Sequence, residues 1–129
     1  GLYQLNDIAL DAFPYGGTTT ISEAMLMGVP VVTLRAPKDK CLHAWNVGLG
    51  MNSTMGLHDL IADTEDQYVE IAQNLAADKD RLRRFRGNLR EDFLKSPLGD
   101  GPRYQCNVEA MYQRMWAKYC SGDWPPSRS

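Results

Sequence analysis

No apolar run in this chain approaches the ~20 residues that a membrane-spanning helix needs. Its first residues, GLYQLNDIAL, carry neither the basic start nor the long apolar stretch of a secretion signal. Cysteine is scarce and odd in number, at Cys41, Cys106 and Cys120, with no CxxC and no Cys/His ligand spacing. That argues against a disulfide framework or a zinc site. The three thiols are expected to be free, buried or half-buried, in a reducing compartment. Charge is nearly balanced, with 14 Lys and Arg against 16 Asp and Glu, so neither nucleic acid nor an anionic membrane is expected as partner. Neither GxxxxGK[ST] nor GxGxxG occurs, which excludes a Walker loop and the dinucleotide fingerprint. Internal repeats, low-complexity tracts and domain boundaries are absent as well. There is no initiator Met, so the chain is expected to be a piece of something longer.

What is present suits one α/β domain: 129 residues, 43% of them hydrophobic. DIALDA, 7–12, reads as a short buried strand, broken by Pro14, Gly16 and Gly17. A helix is predicted from Thr20 to Met27, stopped by Gly28 and barred from resuming by Pro30. VPVVTL, 29–34, is apolar and β-branched on consecutive positions, as in a strand covered on both faces. Strand, helix, strand in this order is a βαβ unit of a parallel sheet. Residues 35–41 read as a polar basic loop, 42–55 as a helix interrupted by Gly48 and Gly50, and LHDLIAD as a short strand or turn.

The rest reads as helical. Thr64 and Gln67 form a capping box, followed by an apolar face of Tyr68, Ile71, Ala72 and Leu75. Asp78 can cap the next helix, whose Leu82, Phe85, Leu89 and Phe93 face inward. After a loop at 96–102, a helix over 103–119 carries Val108, Met111, Tyr112, Met115, Trp116 and Tyr119 at core-facing spacing. The tail SGDWPPSRS reads as frayed turn formers. Two firm strands and a third weaker one make a thin sheet, so further strands are expected upstream.

FPYGGTTTISE, 13–23, has two readings. Thr20-Ile21-Ser22-Glu23 matches the capping box S/T-x-x-E, which needs no ligand. The stretch also falls beyond the carboxyl end of a strand, where ligands sit in open α/β sheets. Gly16 and Gly17 allow close backbone approach. The N–H groups of the first helical turn favour a diphosphate, Thr18, Thr19 and Thr20 add hydroxyls, and Glu23 could accept from a ribose.

Other candidates are weaker. Asp78-Lys79-Asp80 is a DxD string, but it sits at a helix start, where Asp is a preferred cap. The basic run of Lys79, Arg81, Arg83, Arg84, Arg86 and Arg90 is offset by Asp78, Asp80, Glu91 and Asp92 and reads as a solvated helix face. Its functional alternative is docking of an acidic protein. Lys38 and Lys40 are loop cations near the glycine-threonine stretch, and His58 reads as structural.

Taken together, LDAFPYGGTTTISEAMLMGVPVVTL at 10–34, HAWNVG at 43–48, GLHDLIA at 56–62 and the ending from SPLGDGPRYQCNVEAM onward form a longer pattern. It resembles the C-terminal catalytic region of the O-GlcNAc transferase and SPINDLY family of protein O-glycosyltransferases, and is closer to the SPINDLY branch. The animal branch has His at Thr18 and Asp at Glu23, whereas SPINDLY has Thr and Glu. The loop RAPKDKC is longer than the family pattern leads one to expect.

The resemblance implies a GT-B fold, of which residues 1–129 would be part of the Rossmann-like C-terminal nucleotide-sugar domain: a small parallel sheet, several helices and a long C-terminal helix. The N-terminal catalytic half and tetratricopeptide repeats would precede it. It implies transfer of GlcNAc from UDP-GlcNAc, or of fucose from GDP-fucose, to Ser/Thr hydroxyls of proteins, without a metal or other cofactor, in cytoplasm or nucleus. Gly16, Gly17, Thr18, Thr19, Thr20 and Glu23 would bind the donor, with His43 lining the cleft. No catalytic residue is assigned within these residues, and the piece alone is expected to be inactive. The alternative is a non-catalytic module that binds a nucleotide sugar or a protein partner.

Overall fold

The computed structural model describes residues 2–40 and 42–122. Three short parallel strands form one sheet in chain order: β1 (Ala9–Leu10), β2 (Val31–Leu34) and β3 (Ile61–Ala62). Ala9 pairs with Val31 and Leu10 with Val32, while Thr33 pairs with Ile61 and Leu34 with Ala62. All four residues of β2 are buried, as its unbroken apolar run requires for a strand covered on both faces. Successive side chains leave a strand on opposite faces. Val31 accordingly joins Ile21, Met25, Val29, Leu89 and Phe93 on one side, and Val32 joins Leu60 and Leu75 on the other. Each fully buried large side chain, such as Met25 or Leu60, contributes about 1.5–3 kcal/mol.

Helix α1 (Thr19–Leu26) joins β1 to β2. It ends on Gly28, whose φ of +76° is in the left-handed region. Gly28 N–H donates to Met25 O at 3.0 Å and Val29 N–H to Ala24 O at 2.8 Å, the paired bonds of a Schellman stop. A Cβ at Gly28 would come within 2.9 Å of Arg86 O. Between β2 and β3 lie single helical turns at Lys38–Lys40, His43–Trp45 and His58–Leu60, and helix α2 (Val47–Thr54). Gly48 and Gly50, expected to interrupt that segment, lie inside α2. LHDLIAD proves to be a turn and a strand in succession.

Helices α3 (Glu65–Ala77) and α4 (Lys79–Lys95) follow. Gln67 N–H donates to Thr64 Oγ1 at 3.2 Å and Arg81 N–H to Asp78 Oδ1 at 2.9 Å, so both expected caps form. The basic run on α4 is more than a solvated face. Arg86 donates to the carbonyls of Tyr3 (3.1 Å), Met27 (2.9 Å) and Asn6 (2.5 Å), and Arg90 to Leu26 O at 3.0 Å. Two of these carbonyls end α1, where a cation complements the helix dipole. The sequence could not show this, because those carbonyls are about sixty residues away in the chain.

Two compact units divide the chain after Gly99. In the second, α5 (Gly101–Cys120) starts two residues earlier than the spacing suggests, with Pro102 in its first turn and Arg103 N–H donating to Asp100 Oδ1 at 3.0 Å. The core-facing expectation for its stripe is not met, since Met111, Tyr112, Met115, Trp116 and Tyr119 are all exposed. Period alone marks an amphipathic helix and cannot say what covers it. Cys106 and Cys120 are exposed free thiols, contrary to the burial expected of them. Cys41 and residues 123–129, including most of the tail read as frayed, lie outside the described residues. No described helix is long and apolar enough to cross a membrane.

Candidate functional site

Where β1 ends, the chain turns through Ala12–Thr18 into α1. A cleft of about 530 Å3 opens there, lined by Tyr3, Asp11 and the run Tyr15–Thr20 among others. That volume is within the range of small-molecule sites. The backbone rests tightly on its surroundings: Gly16 is buried and donates its N–H to Ala44 O at 2.9 Å. A Cβ at Gly17 would lie 2.2 Å from Thr20 Oγ1, so only glycine lets that hydroxyl fold against the loop. Thr18, Thr19 and Thr20 are all exposed toward solvent.

The capping box expected at Thr20 and Glu23 does not form. Helix α1 begins at Thr19, which puts Thr18 at the cap, and no side chain caps the turn. The cause is local geometry. Thr18 has φ −110° and ψ −66°, already helical, whereas a capping residue holds an extended backbone to turn its oxygen onto the helix. The first N–H groups of an α-helix lack intrahelical partners, and here they open beside the cleft. Glu23 is exposed, and its Oε2 accepts from Tyr3 Oη at 3.1 Å. It turns away from its own helix end.

Behind the loop lies a polar knot that the sequence reading missed. Asp11 is only 7% exposed. Its Oδ1 accepts from Gly17 N–H at 2.9 Å and its Oδ2 from Thr33 Oγ1 at 3.0 Å. Its carbonyl accepts from Tyr68 Oη at 2.8 Å, and its N–H donates to Val32 O at 2.9 Å. Burial pushes the Asp11 carboxyl above its ordinary range, against the hydrogen bonds from Gly17, Thr33 and Ala12 that favour the charged form. Burial, with the nearby Asp11 charge, pushes the Tyr68 hydroxyl up to about 12. The Phe13 ring stacks on Trp45 at 6.1 Å and meets the Tyr68 ring edge-on at 5.8 Å, while Trp45 Nε1 donates to Leu34 O at 3.1 Å. The aromatics hold the outer side of the loop, and Asp11 holds its inner side.

The structure thus brings Gly16, Gly17, Thr18, Thr19 and Thr20 together on one cleft. Glu23 reaches this group through Tyr3, which does line the cleft. His43 is exposed and is not among the cleft residues. Its neighbour Ala44 makes the link, through its carbonyl. Lys38 and Lys40 are exposed and do not line the cleft. One signal for Asp11 was available in the sequence: an acid closing the apolar run of DIALDA, directly before a diglycine turn.

Residues 2–108 match the sequence pattern of Glycosyl transferase family 41. The chain is 48% identical over 126 residues to a Solanum lycopersicum protein named probable UDP-N-acetylglucosamine–peptide N-acetylglucosaminyltransferase SPINDLY. The alignment takes in 98% of this chain and 13% of that protein. SPINDLY of Arabidopsis thaliana is 43% identical over the same shares, and the protein named SEC from that plant is 34% identical over 94% of this chain and 12% of its own length. Among solved structures, a mutant O-GlcNAc transferase of Thermobaculum terrenum superposes with a TM-score of 0.79 at 34% identity, covering 91% of this chain and 22% of that one. The small parallel sheet with its helices therefore matches a C-terminal fragment of a GT-B O-GlcNAc transferase, and the SPINDLY proteins are more alike than SEC, as the residues at Thr18 and Glu23 suggested. With the pattern running over most of its length and relatives near half-identical along nearly all of it, this chain belongs to glycosyl transferase family 41.

Proposed function

We propose that these residues are the nucleotide-sugar-binding part of a protein O-glycosyltransferase. An acceptor Ser or Thr hydroxyl attacks the anomeric carbon of UDP-GlcNAc or GDP-fucose, the bond from that carbon to the diphosphate oxygen breaks, and the nucleoside diphosphate departs while the hydroxyl proton passes to solvent. The first-turn N–H groups of α1 and the hydroxyls of Thr18–Thr20 meet the charge that develops on the leaving diphosphate. Glu23, released from its own helix and held by Tyr3, accepts from the ribose. The mechanism uses no metal, so transfer is expected to persist in chelator. The observation that carries the reading is the first turn of α1, left without a side-chain cap beside a cleft lined by Gly16–Thr20.

The chain spans 12–13% of the length of the curated relatives named above, so the experiment uses the full-length protein. Calorimetry with UDP, GDP, UDP-GlcNAc and GDP-fucose is expected to show binding of one nucleotide family, with transfer to a protein acceptor. Glu23→Ala is expected to weaken donor binding by about tenfold or more, the scale of a lost charge-assisted bond, with the fold intact. Unchanged donor affinity in that variant would remove Glu23 from the site. Binding without transfer would favour a non-catalytic nucleotide-sugar module.

A further inference from the structure

We propose that Asp11 is the positioning residue of the donor loop: through Gly17 it sets the first turn of α1 in its anion-receiving arrangement before any donor arrives. The proposal deepens the reading above and rests on it.

Each of its polar groups is committed. The backbone N–H and carbonyl of Asp11 are held by Val32 and Tyr68, and its carboxylate oxygens by Gly17 and Thr33. One side chain thereby joins the end of β1, the glycine turn and β2. The surroundings are cut to fit it. A Cβ at Gly48 would lie 2.4 Å from Asp11 Oδ2 and 2.8 Å from Thr33 Oγ1, and a Cβ at Gly16 would lie 3.1 Å from Oδ2.

Burying a carboxylate is unfavourable even with good partners, and an apolar side chain of similar size commonly serves stability as well or better. What an apolar side chain cannot do is fix the Gly17 N–H. Without that bond, two successive glycines enter α1 with the widest backbone freedom of any residue. A loop ordered in advance binds more tightly, because the ordering cost is not incurred on association. Asp11 makes the loop ordered in advance.

Asparagine separates position from charge. Its Oδ1 can accept from Gly17 N–H, and its Nδ2 can donate to the Thr33 hydroxyl, which accepts as readily as it donates. In the full-length protein, Asp11→Ala is expected to lower kcat/KM for the donor about tenfold to a hundredfold, the scale of a misplaced binding group. Asp11→Asn is expected to recover most of that loss. Amide hydrogen exchange across residues 17–20 without ligand should quicken in Asp11→Ala and remain slow in Asp11→Asn.

A folded Asp11→Ala with wild-type affinity for UDP or GDP overturns the proposal, as does an Asp11→Asn as impaired as Asp11→Ala. Should Asp11→Ala fail to fold, Thr33→Val decides: it keeps the shape and frees one carboxylate oxygen, so it must lose affinity, and wild-type affinity there also overturns the proposal. Wild-type protein that binds neither UDP nor GDP refutes the donor-site reading instead. The exchange of residues 17–20 then still judges what Asp11 does to the loop.

Discussion

Helices α1 and α4 begin in opposite ways. Helix α4 opens on Asp78, whose carboxylate takes the Arg81 N–H at 2.9 Å. Helix α1 opens on three threonines and a glutamate that match a capping box, yet no side chain caps it. Helices α3 and α5 behave like α4, with Thr64 and Asp100 as caps. Helix α2 behaves like α1: its Asn46 does not cap, and the side-chain oxygen accepts from Ala36 N–H at 3.1 Å instead. The two uncapped helices both contact the central strand β2 and border the Asp11 knot, as does the capped α3 through Tyr68. Helix α1, which borders the cleft, leaves its end open, and its stability comes from packing: Ile21, Ala24 and Met25 hold it in the core.

The most disruptive way to test that contrast is at the knot itself. Gly48→Ala would drive a methyl into Asp11 and Thr33, an overpacking worth about 1–3 kcal/mol. Gly50→Ala, two residues on in the same helix, meets nothing within 4 Å and should gain about 0.5–1 kcal/mol. Thermal unfolding of the two variants should move in opposite directions. If both stabilise, the knot is not tight.

A second pair addresses the caps. Asp78→Ala should cost about 1 kcal/mol, read as faster hydrogen exchange in the first turn of α4, with UDP and GDP affinity unchanged. Thr18→Ala should change stability by less than about 0.5 kcal/mol, as at a surface position without a bond to lose, while nucleotide affinity falls. The reverse pattern would erase the contrast.

The smallest effect is confined to alkali. Tyr68 has its hydroxyl raised from 10.0 to about 12 in the fold. The fold therefore favours the neutral phenol, and that contribution is complete below pH 10 and is lost as pH rises toward 12. An ultraviolet titration of tyrosinate should show a tyrosine ionising near pH 12 that is missing in Tyr68→Phe.

Much of this was legible in the chain order. The βαβ unit, the Gly28 stop and the caps at Thr64 and Asp78 depend on neighbours within a few residues, so short patterns suffice. That Gly16–Thr20 form a turn at a helix start was legible for the same reason. Where partners are distant, the sequence was silent or misleading. The S/T-x-x-E match at Thr20 is real, but the backbone entering α1 is already helical at Thr18. Arg86 and Arg90 look like surface charge until their carbonyl partners arrive from the other end of the first unit. The exposed stripe on α5 shows that a period reports a face and not its cover.

The sequence by itself determined the order of elements, the family and which loop carries glycines and threonines at a helix start. The elements and the loop rest on residue type and local spacing, and the family on a resemblance that runs in order along nearly the whole chain. Only the tertiary structure decided that Glu23 points to Tyr3 and that Asp11 stands behind the loop. Those depend on contacts spanning 20 and 22 residues, Tyr3 to Glu23 and Asp11 to Thr33. Strand pairing creates the second of them by bringing Asp11, directly after β1, beside Thr33 of β2.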